Sequence, residues 1–113
     1  MGQDASIKLN FVEFTSPELE KTQAFFASAF GWEFVDFGDD YKDIQGAGIA
    51  GGIARGDLRS PLAVLQVDDL EKMLEKVTTA GAEITLDIFP FPGGRRFQFK
   101  EPGGNEMAVW SEK

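Results

Sequence analysis

Apolar residues follow the same order twice along this chain. They come in near alternation over residues 7–15, which predicts a β-strand, and residues 62–67 open a second copy of the pattern. Each strand leads into a helical pattern that begins with Glu-Leu-Glu-Lys or Asp-Leu-Glu-Lys and stops at Gly31 or Gly81. An internal repeat of this kind predicts two modules of the same architecture with a cleft between them.

The start of each predicted helix carries its own signals. Ser16 is a good N-cap, and Pro17 suits the first helical position, where its missing N–H costs nothing. In the second half Asp68 is the expected cap, and Glu71, three residues on, completes a capping box. Both helices should therefore start directly after their strands.

Three further strands are predicted after each helix. They cover residues 32–37, 41–45 and 49–54 in the first half and residues 83–88, 95–100 and 106–110 in the second. Residues 56–60 form a polar connection, and residues 89–94, which contain Phe89 and Phe91 between prolines, predict a stiff loop that serves as a lid or an interface contact. The order is βαβββ twice, an α+β fold.

Composition narrows the classes of function. The 113 residues suit one domain, which we expect over residues 7–113 with repeats at about 7–55 and 61–111, preceded by a flexible N-terminus at residues 1–6. The net charge of −8 argues against nucleic acid, and the absence of Cys and His removes thiol chemistry and the usual general base. No apolar run is long enough for a membrane span and no signal peptide is visible, so a cytoplasmic location is expected.

The repeat, together with the segments at its helix ends and turns, resembles the vicinal-oxygen-chelate superfamily of glyoxalases, bleomycin-resistance proteins and extradiol dioxygenases. The resemblance covers residues 9–110, and its markers are residues 18–32, the segment Val-Asp-Asp-Leu at 67–70 and the turn Glu-Pro-Gly-Gly-Asn-Glu at 101–106. It implies a glyoxalase-like fold in which helices cover one face of each sheet and the other face lines a concave cup. It does not imply one reaction, because this fold hosts many.

The resemblance also implies four positions for metal ligands. Counted from the markers, they fall on Phe11, within residues 51–53, on Leu62 and on Ala108. None of these side chains offers an oxygen or nitrogen donor for a divalent ion. We therefore expect no metal and no other cofactor.

Strand alternation then predicts what the cup contains. Phe97 and Phe99 should face a helix, which turns Arg96 and Gln98 toward the cup. The candidate ligand-binding residues are Phe11, Glu13, Gln45, Leu62, Gln66, Arg96, Gln98, Glu106 and Trp110. An apolar base with a few polar groups is typical of a small-molecule pocket.

Three functions fit this lining. The first is a bleomycin-resistance-like protein that binds or sequesters a small aromatic or cationic molecule, favoured by the acidic charge and the aromatic content. The second is a metal-independent enzyme of lyase or isomerase type that uses Glu13 or Glu106 as a base, so whether the chain is an enzyme stays open. The third is an interaction module with a filled cup. The exposed sheet edges and apolar surface expected for this fold also predict a homodimer.

Overall fold

The computed structural model describes residues 6–113, so the predicted flexible N-terminus lies outside the described residues except for Ser6. The predicted order, βαβββ occurring twice, is confirmed. The elements are β1 (Lys8–Ser16), α1 (Leu19–Phe30), β2 (Glu33–Asp36), β3 (Tyr41–Gln45), β4 (Ala50–Arg55), β5 (Arg59–Gln66), α2 (Leu70–Thr79), β6 (Glu83–Phe91), β7 (Gly94–Lys100) and β8 (Glu106–Ser111).

The chain forms two compact units. The first-half unit is Phe11–Leu62, and the second-half unit is Ala63–Lys113 together with the described residues before Phe11. In the first-half unit the strands are ordered β2-β3-β4-β1, with β1 parallel to β4 and the other pairs antiparallel. In the second-half unit the order is β5-β8-β7-β6, with β5 parallel to β8. The two units thus repeat one topology.

Each unit has a core between its helix and one face of its strands. In the first-half unit the buried residues of this core are Leu19, Ile44 and Ile53, with Phe14, Phe26, Trp32 and Phe34 packed against them. In the second-half unit the buried residues are Val67, Leu70, Met73, Phe97, Phe99 and Val109. Because side chains alternate along a strand, the residues between these core positions project from the opposite face.

Both helices begin later than predicted. Helix α1 starts at Leu19 with Glu18 at the N-cap position, and Ser16 instead accepts a hydrogen bond from the backbone N–H of Glu18 at 3.0 Å. Helix α2 is capped by Asp69, not Asp68, through a 3.0 Å bond from the N–H of Lys72. Two adjacent aspartates offer the same capping group, and sequence alone does not distinguish them.

The predicted loop at residues 89–94 is wrong. Phe89 and Phe91 belong to strand β6, and only a tight turn at residues 92–93 separates β6 from β7. Strand β6 ends the sheet order of its unit, and an edge strand accommodates Pro90, which cannot donate to a ladder. The two phenylalanine side chains are half-buried, so this segment is a strand and not the stiff loop that its composition indicates.

Within residues 6–113, neither helix has the length and apolar character that crossing a membrane requires.

Candidate functional site

The sheet face of the second-half unit that lies opposite helix α2 carries most of the predicted site residues. Phe97, Phe99 and Val109 pack in the core with α2, so their neighbours in the strands project the other way. The register pairs Gln66 with Trp110, Trp110 with Arg96, and Arg96 with Phe89. We call this surface the second-half face and define it by its side chains Gln66, Thr85, Phe89, Phe91, Arg96, Gln98, Glu106, Ala108 and Trp110.

A chain of hydrogen bonds crosses the second-half face. Arg96 Nη2 donates to Gln98 Oε1 at 3.0 Å, and Gln98 Nε2 donates to Glu106 Oε2 at 3.2 Å. Thr85 Oγ1 donates to the same Glu106 oxygen at 2.8 Å. Each link fixes the orientation of the next side chain, so the polar groups of this face are held in place before any ligand arrives.

Aromatic rings border this polar chain. The Arg96 guanidinium lies 5.9 Å from the centre of the Phe89 ring, within the range of a cation–π contact. Phe91 and Trp110 meet edge to face, with 6.0 Å between their ring centres. At the end of β5, Gln66 accepts a 3.2 Å hydrogen bond from Asn10. Half-buried rings next to fixed polar groups are what an aromatic ligand with a polar substituent needs.

The corresponding face of the first-half unit, opposite helix α1, holds a buried carboxyl group. Glu13 is only 7% exposed, and Tyr41 Oη donates to its Oε2 at 3.0 Å. These residues lie on β1 and β3, on either side of β4, and the tyrosine passes over Gly52 to reach the glutamate. A Cβ atom at Gly52 would lie 2.1 Å from Tyr41 Oη, so the contact depends on glycine at this position.

Asp43 lies in the same row of side chains, opposite Gly52. Burial raises the pKa of this carboxyl above its usual value, partly offset by a 2.5 Å hydrogen bond from Gln45 Nε2. Asp43 and Gln45 also line a shallow, open depression of about 360 Å³ formed by residues 43–50. This depression belongs to one hairpin and its glycine-containing loop.

The predicted site residues are thus divided between the two units. Arg96, Gln98 and Glu106 are joined by hydrogen bonds, and Trp110 is the register partner of both Gln66 and Arg96. In the first-half unit Glu13 accepts a hydrogen bond from Tyr41, and Gln45 is exposed. Phe11 is half-buried and Leu62 is buried.

The sequence-based list of candidate ligand-binding residues did not include Tyr41, Asp43, Thr85, Phe89 and Phe91, which lie on these faces. Tyr41 and Asp43 alternate with Lys42 and Ile44, which are buried, so the period of two along β3 carries their signal.

The residues of this chain do not fit a metal ion at the positions that the resemblance implies. Phe11, Leu62 and Ala108 present a phenyl, an isobutyl and a methyl group. Among residues 6–113, no three His, Cys, Asp or Glu side chains come together in a group that could hold one. Glu13 and Glu106, each two residues from Phe11 or Ala108, instead accept hydrogen bonds from Tyr41, Thr85 and Gln98.

Comparison with known proteins supplies the family. The sequence model of the glyoxalase/bleomycin resistance protein/dioxygenase superfamily matches residues 8–109. The chain belongs to this superfamily. A comparison with functionally curated proteins gives no match.

Several solved structures share the fold at low identity. A hypothetical protein from Bacillus halodurans is 12% identical with a TM-score of 0.77, and 96% of each chain is covered. Methylmalonyl-CoA epimerase from Mycobacterium tuberculosis is 14% identical with a TM-score of 0.72, covering 98% of this chain and 92% of that one. The Mn(II)-bound glyoxalase from Novosphingobium aromaticivorans is 20% identical with a TM-score of 0.65, covering 95% of this chain and 38% of that one. At these identities the likeness establishes the fold and not the reaction.

Proposed function

We propose that this superfamily member binds a small aromatic molecule on the second-half face without the help of a metal. The observation that carries the proposal is the edge-to-face pair of Phe91 and Trp110 beside Arg96, on a sheet face whose polar groups are already connected. Stacking on preorganised rings contributes about 0.5–1.5 kcal/mol beyond the burial of area, and it costs little side-chain entropy.

The polar chain indicates which ring substituents the face accepts. Arg96 offers N–H donors to an oxygen or an anionic group, and Glu106 offers a carboxylate to an amine. Charge attraction from a chain of net charge −8 favours a cationic ligand over long distances. A series of compounds with one ring and three substituents, an amine, an alcohol and a carboxylate, therefore separates recognition by Glu106 from recognition by Arg96.

The test uses the two tryptophans. Trp32 packs 5.2 Å from Phe26 in the core of the first-half unit, whereas Trp110 lies on the second-half face. In the Trp32→Phe variant the fluorescence reports Trp110 alone, and the ring series should change it in a saturable way. Trp110→Ala should weaken binding by roughly tenfold or more, measured by ligand-observed NMR, because an aromatic anchor is lost.

Two results contradict the proposal. One is the absence of saturable binding across the series, which favours the interaction module. The other is equal affinity in the Trp110→Ala variant and in the Trp32→Phe control, which places the ligand elsewhere.

A second candidate, a metal-independent enzyme, is favoured by the Glu13–Tyr41 pair. A carboxyl group that is 7% exposed and bonded to a phenol at 3.0 Å has the composition of a general acid–base pair. A suitable general assay follows deuterium uptake from D₂O by small carbonyl compounds. Exchange that is catalysed by the protein and lost in Glu13→Gln supports this function, and exchange that is unchanged in Glu13→Gln contradicts it.

A further inference from the structure

The register of the second-half unit sorts its charged and aromatic side chains into rows that cross the strands. Residues directly opposite each other in neighbouring strands share one face of the sheet. One row, which we call the aromatic row, crosses β6, β7, β8 and β5 and consists of Phe89, Arg96, Trp110 and Gln66. Another, which we call the acidic row, crosses β6, β7 and β8 and consists of Glu83, Lys100 and Glu106. Of the four side chains in the aromatic row, only that of Arg96 is ionisable.

The two rows are too far apart for one small ring to contact both. Four residues along β7 separate Arg96 from Lys100, and four along β8 separate Trp110 from Glu106. At about 3.4 Å per residue, this places the backbones of the rows about 14 Å apart. The Glu106 carboxylate reaches back to Gln98, which lies between the rows. A compound with one ring that packs against Trp110 therefore brings its substituent to Arg96.

We propose that the second-half face selects an aromatic carboxylate, whose ring packs against Phe91 and Trp110 and whose carboxylate accepts hydrogen bonds from Arg96. This inference rests on the function proposed above and names the class of its ligand. A guanidinium has five N–H donors in a planar fork that matches a carboxylate, so Arg96 binds the anion in addition to its partners within the protein. Hydrogen bonds between charged groups are also about twice as strong as those between neutral groups.

Two contacts orient the guanidinium of Arg96 for this role. Gln98 Oε1 accepts its 3.0 Å hydrogen bond from Nη2, and the Gln98 amide is itself held by its 3.2 Å bond to Glu106. The Phe89 ring, whose centre lies 5.9 Å from Arg96 Cζ, restricts the guanidinium on the side of β6. A side chain that is already oriented loses less entropy when it binds. Because Arg96 lies directly opposite Trp110, the ring and the carboxylate of the ligand have to be joined by few bonds, as in benzoate.

The acidic charge of the chain opposes an anion only weakly at this position. The Debye length is about 8 Å at physiological ionic strength, which is shorter than the distance of about 14 Å between the rows. Glu83 and Lys100 are exposed, so solvent screens them, and Lys100 lies between the two glutamates of its row and offsets part of their charge. The net charge of −8 thus acts on a distant ligand, whereas Arg96 acts on a bound one.

The first experiment compares ligands of matched shape on the native chain. Benzoate and benzamide have nearly the same shape and differ in charge, and benzylamine carries the opposite charge. Titrations followed by ligand-observed NMR should give benzoate a dissociation constant lower than that of benzamide or benzylamine by about tenfold or more, because only benzoate forms charge-assisted hydrogen bonds with Arg96. This comparison needs no substitution, so it does not depend on the folding of a variant.

A second experiment tests whether Arg96 makes this distinction. Arg96→Gln should abolish the preference for benzoate over benzamide, and Arg96→Lys, which keeps the charge without the planar fork, should reduce it. Lys100→Gln is the matched control, because it removes one positive charge from the same strand but in the acidic row, and it should keep the preference. Circular dichroism checks that the three variants fold.

The possible failures are distinguishable. Equal affinity for benzoate and benzamide, or tighter binding of benzylamine, overturns the ligand class, while the proposed function stands if Trp110→Ala weakens that binding. A preference for benzoate that survives Arg96→Gln, or that Lys100→Gln removes as fully, also overturns the ligand class. The absence of saturable binding for all three compounds contradicts both the ligand class and the proposed function.

Discussion

Replacing Gly52 by alanine is the sharpest test of the first-half face. A Cβ atom at this position would lie 2.1 Å from Tyr41 Oη and 2.6 Å from its Cζ, well inside van der Waals contact. The alanine therefore displaces the ring and breaks the 3.0 Å hydrogen bond to Glu13. The backbone at Gly52 does not have a positive φ, so alanine adds no backbone strain of its own.

The cost follows from two effects. Losing a hydrogen bond to a buried carboxyl group destabilises a protein by about 1–3 kcal/mol, because Glu13 is left without that partner. Forcing the tyrosine ring out of a packed position adds about 1–3 kcal/mol. Because the displaced ring recovers part of this by moving, we expect Gly52→Ala to lower the free energy of unfolding by about 2–4 kcal/mol.

Urea denaturation followed by circular dichroism measures this cost, and a double-mutant cycle identifies its cause. In a Tyr41→Ala background the clash is gone, so Gly52→Ala should be neutral or should stabilise by about 0.4–1 kcal/mol through the unfolded state. If Gly52→Ala costs the same in both backgrounds, Tyr41 is not what the new Cβ atom meets, and the reasoning is wrong.

Three further predictions concern local features. Asp69→Ala should destabilise the fold by about 1 kcal/mol because it removes the cap of α2, whereas the neighbouring Asp68→Ala should have little effect in the same urea titration. Hydrogen bonds from the Gly103 backbone and from the side chain and backbone of Asn105 lower the pKa of Glu101 from 4.5. The stability that this residue contributes is thus present above pH 4.5 and is lost as pH falls through the lower folded-state pKa. Glu101→Gln should accordingly lower the urea midpoint at pH 7 and have a much smaller effect in strong acid. Asp43 has the opposite effect on stability, because burial raises its pKa above 3.8 and the ionised carboxyl therefore destabilises the fold at pH 7. Asp43→Asn should raise the urea midpoint at pH 7 and leave it unchanged below pH 3.8. A lower midpoint at pH 7 contradicts this account.

The fold was predictable because its signals are local and repeated. Alternation in β1 and β5, the glycines that follow each helix and the turn at residues 101–104 each fix one element, and the repeat shows that they belong together. The errors occurred where two local signals compete. Asp68 and Asp69 have the same capping group, so the sequence does not show which of them caps α2. At residues 89–94 the prolines led to the prediction of a loop, although Phe89 and Phe91 favour a strand.

The site was only partly predictable, since its key contacts join strands that are distant in sequence. Alternation identified Arg96 and Gln98 once Phe97 and Phe99 were assigned to the helix side. The Tyr41–Glu13 contact reaches across strand β4, and the residues next to either side chain in the sequence do not predict it. Its only trace in the sequence is Gly52, whose missing side chain makes room for a ring from β3.

A titration of the Trp32→Phe protein, treated with EDTA, with the amine, alcohol and carboxylate ring series tests the central proposal most directly. The account predicts a saturable change in Trp110 emission for at least one member, with the same dissociation constant when divalent metal is restored. No saturable change, or a change that requires the metal, would contradict it.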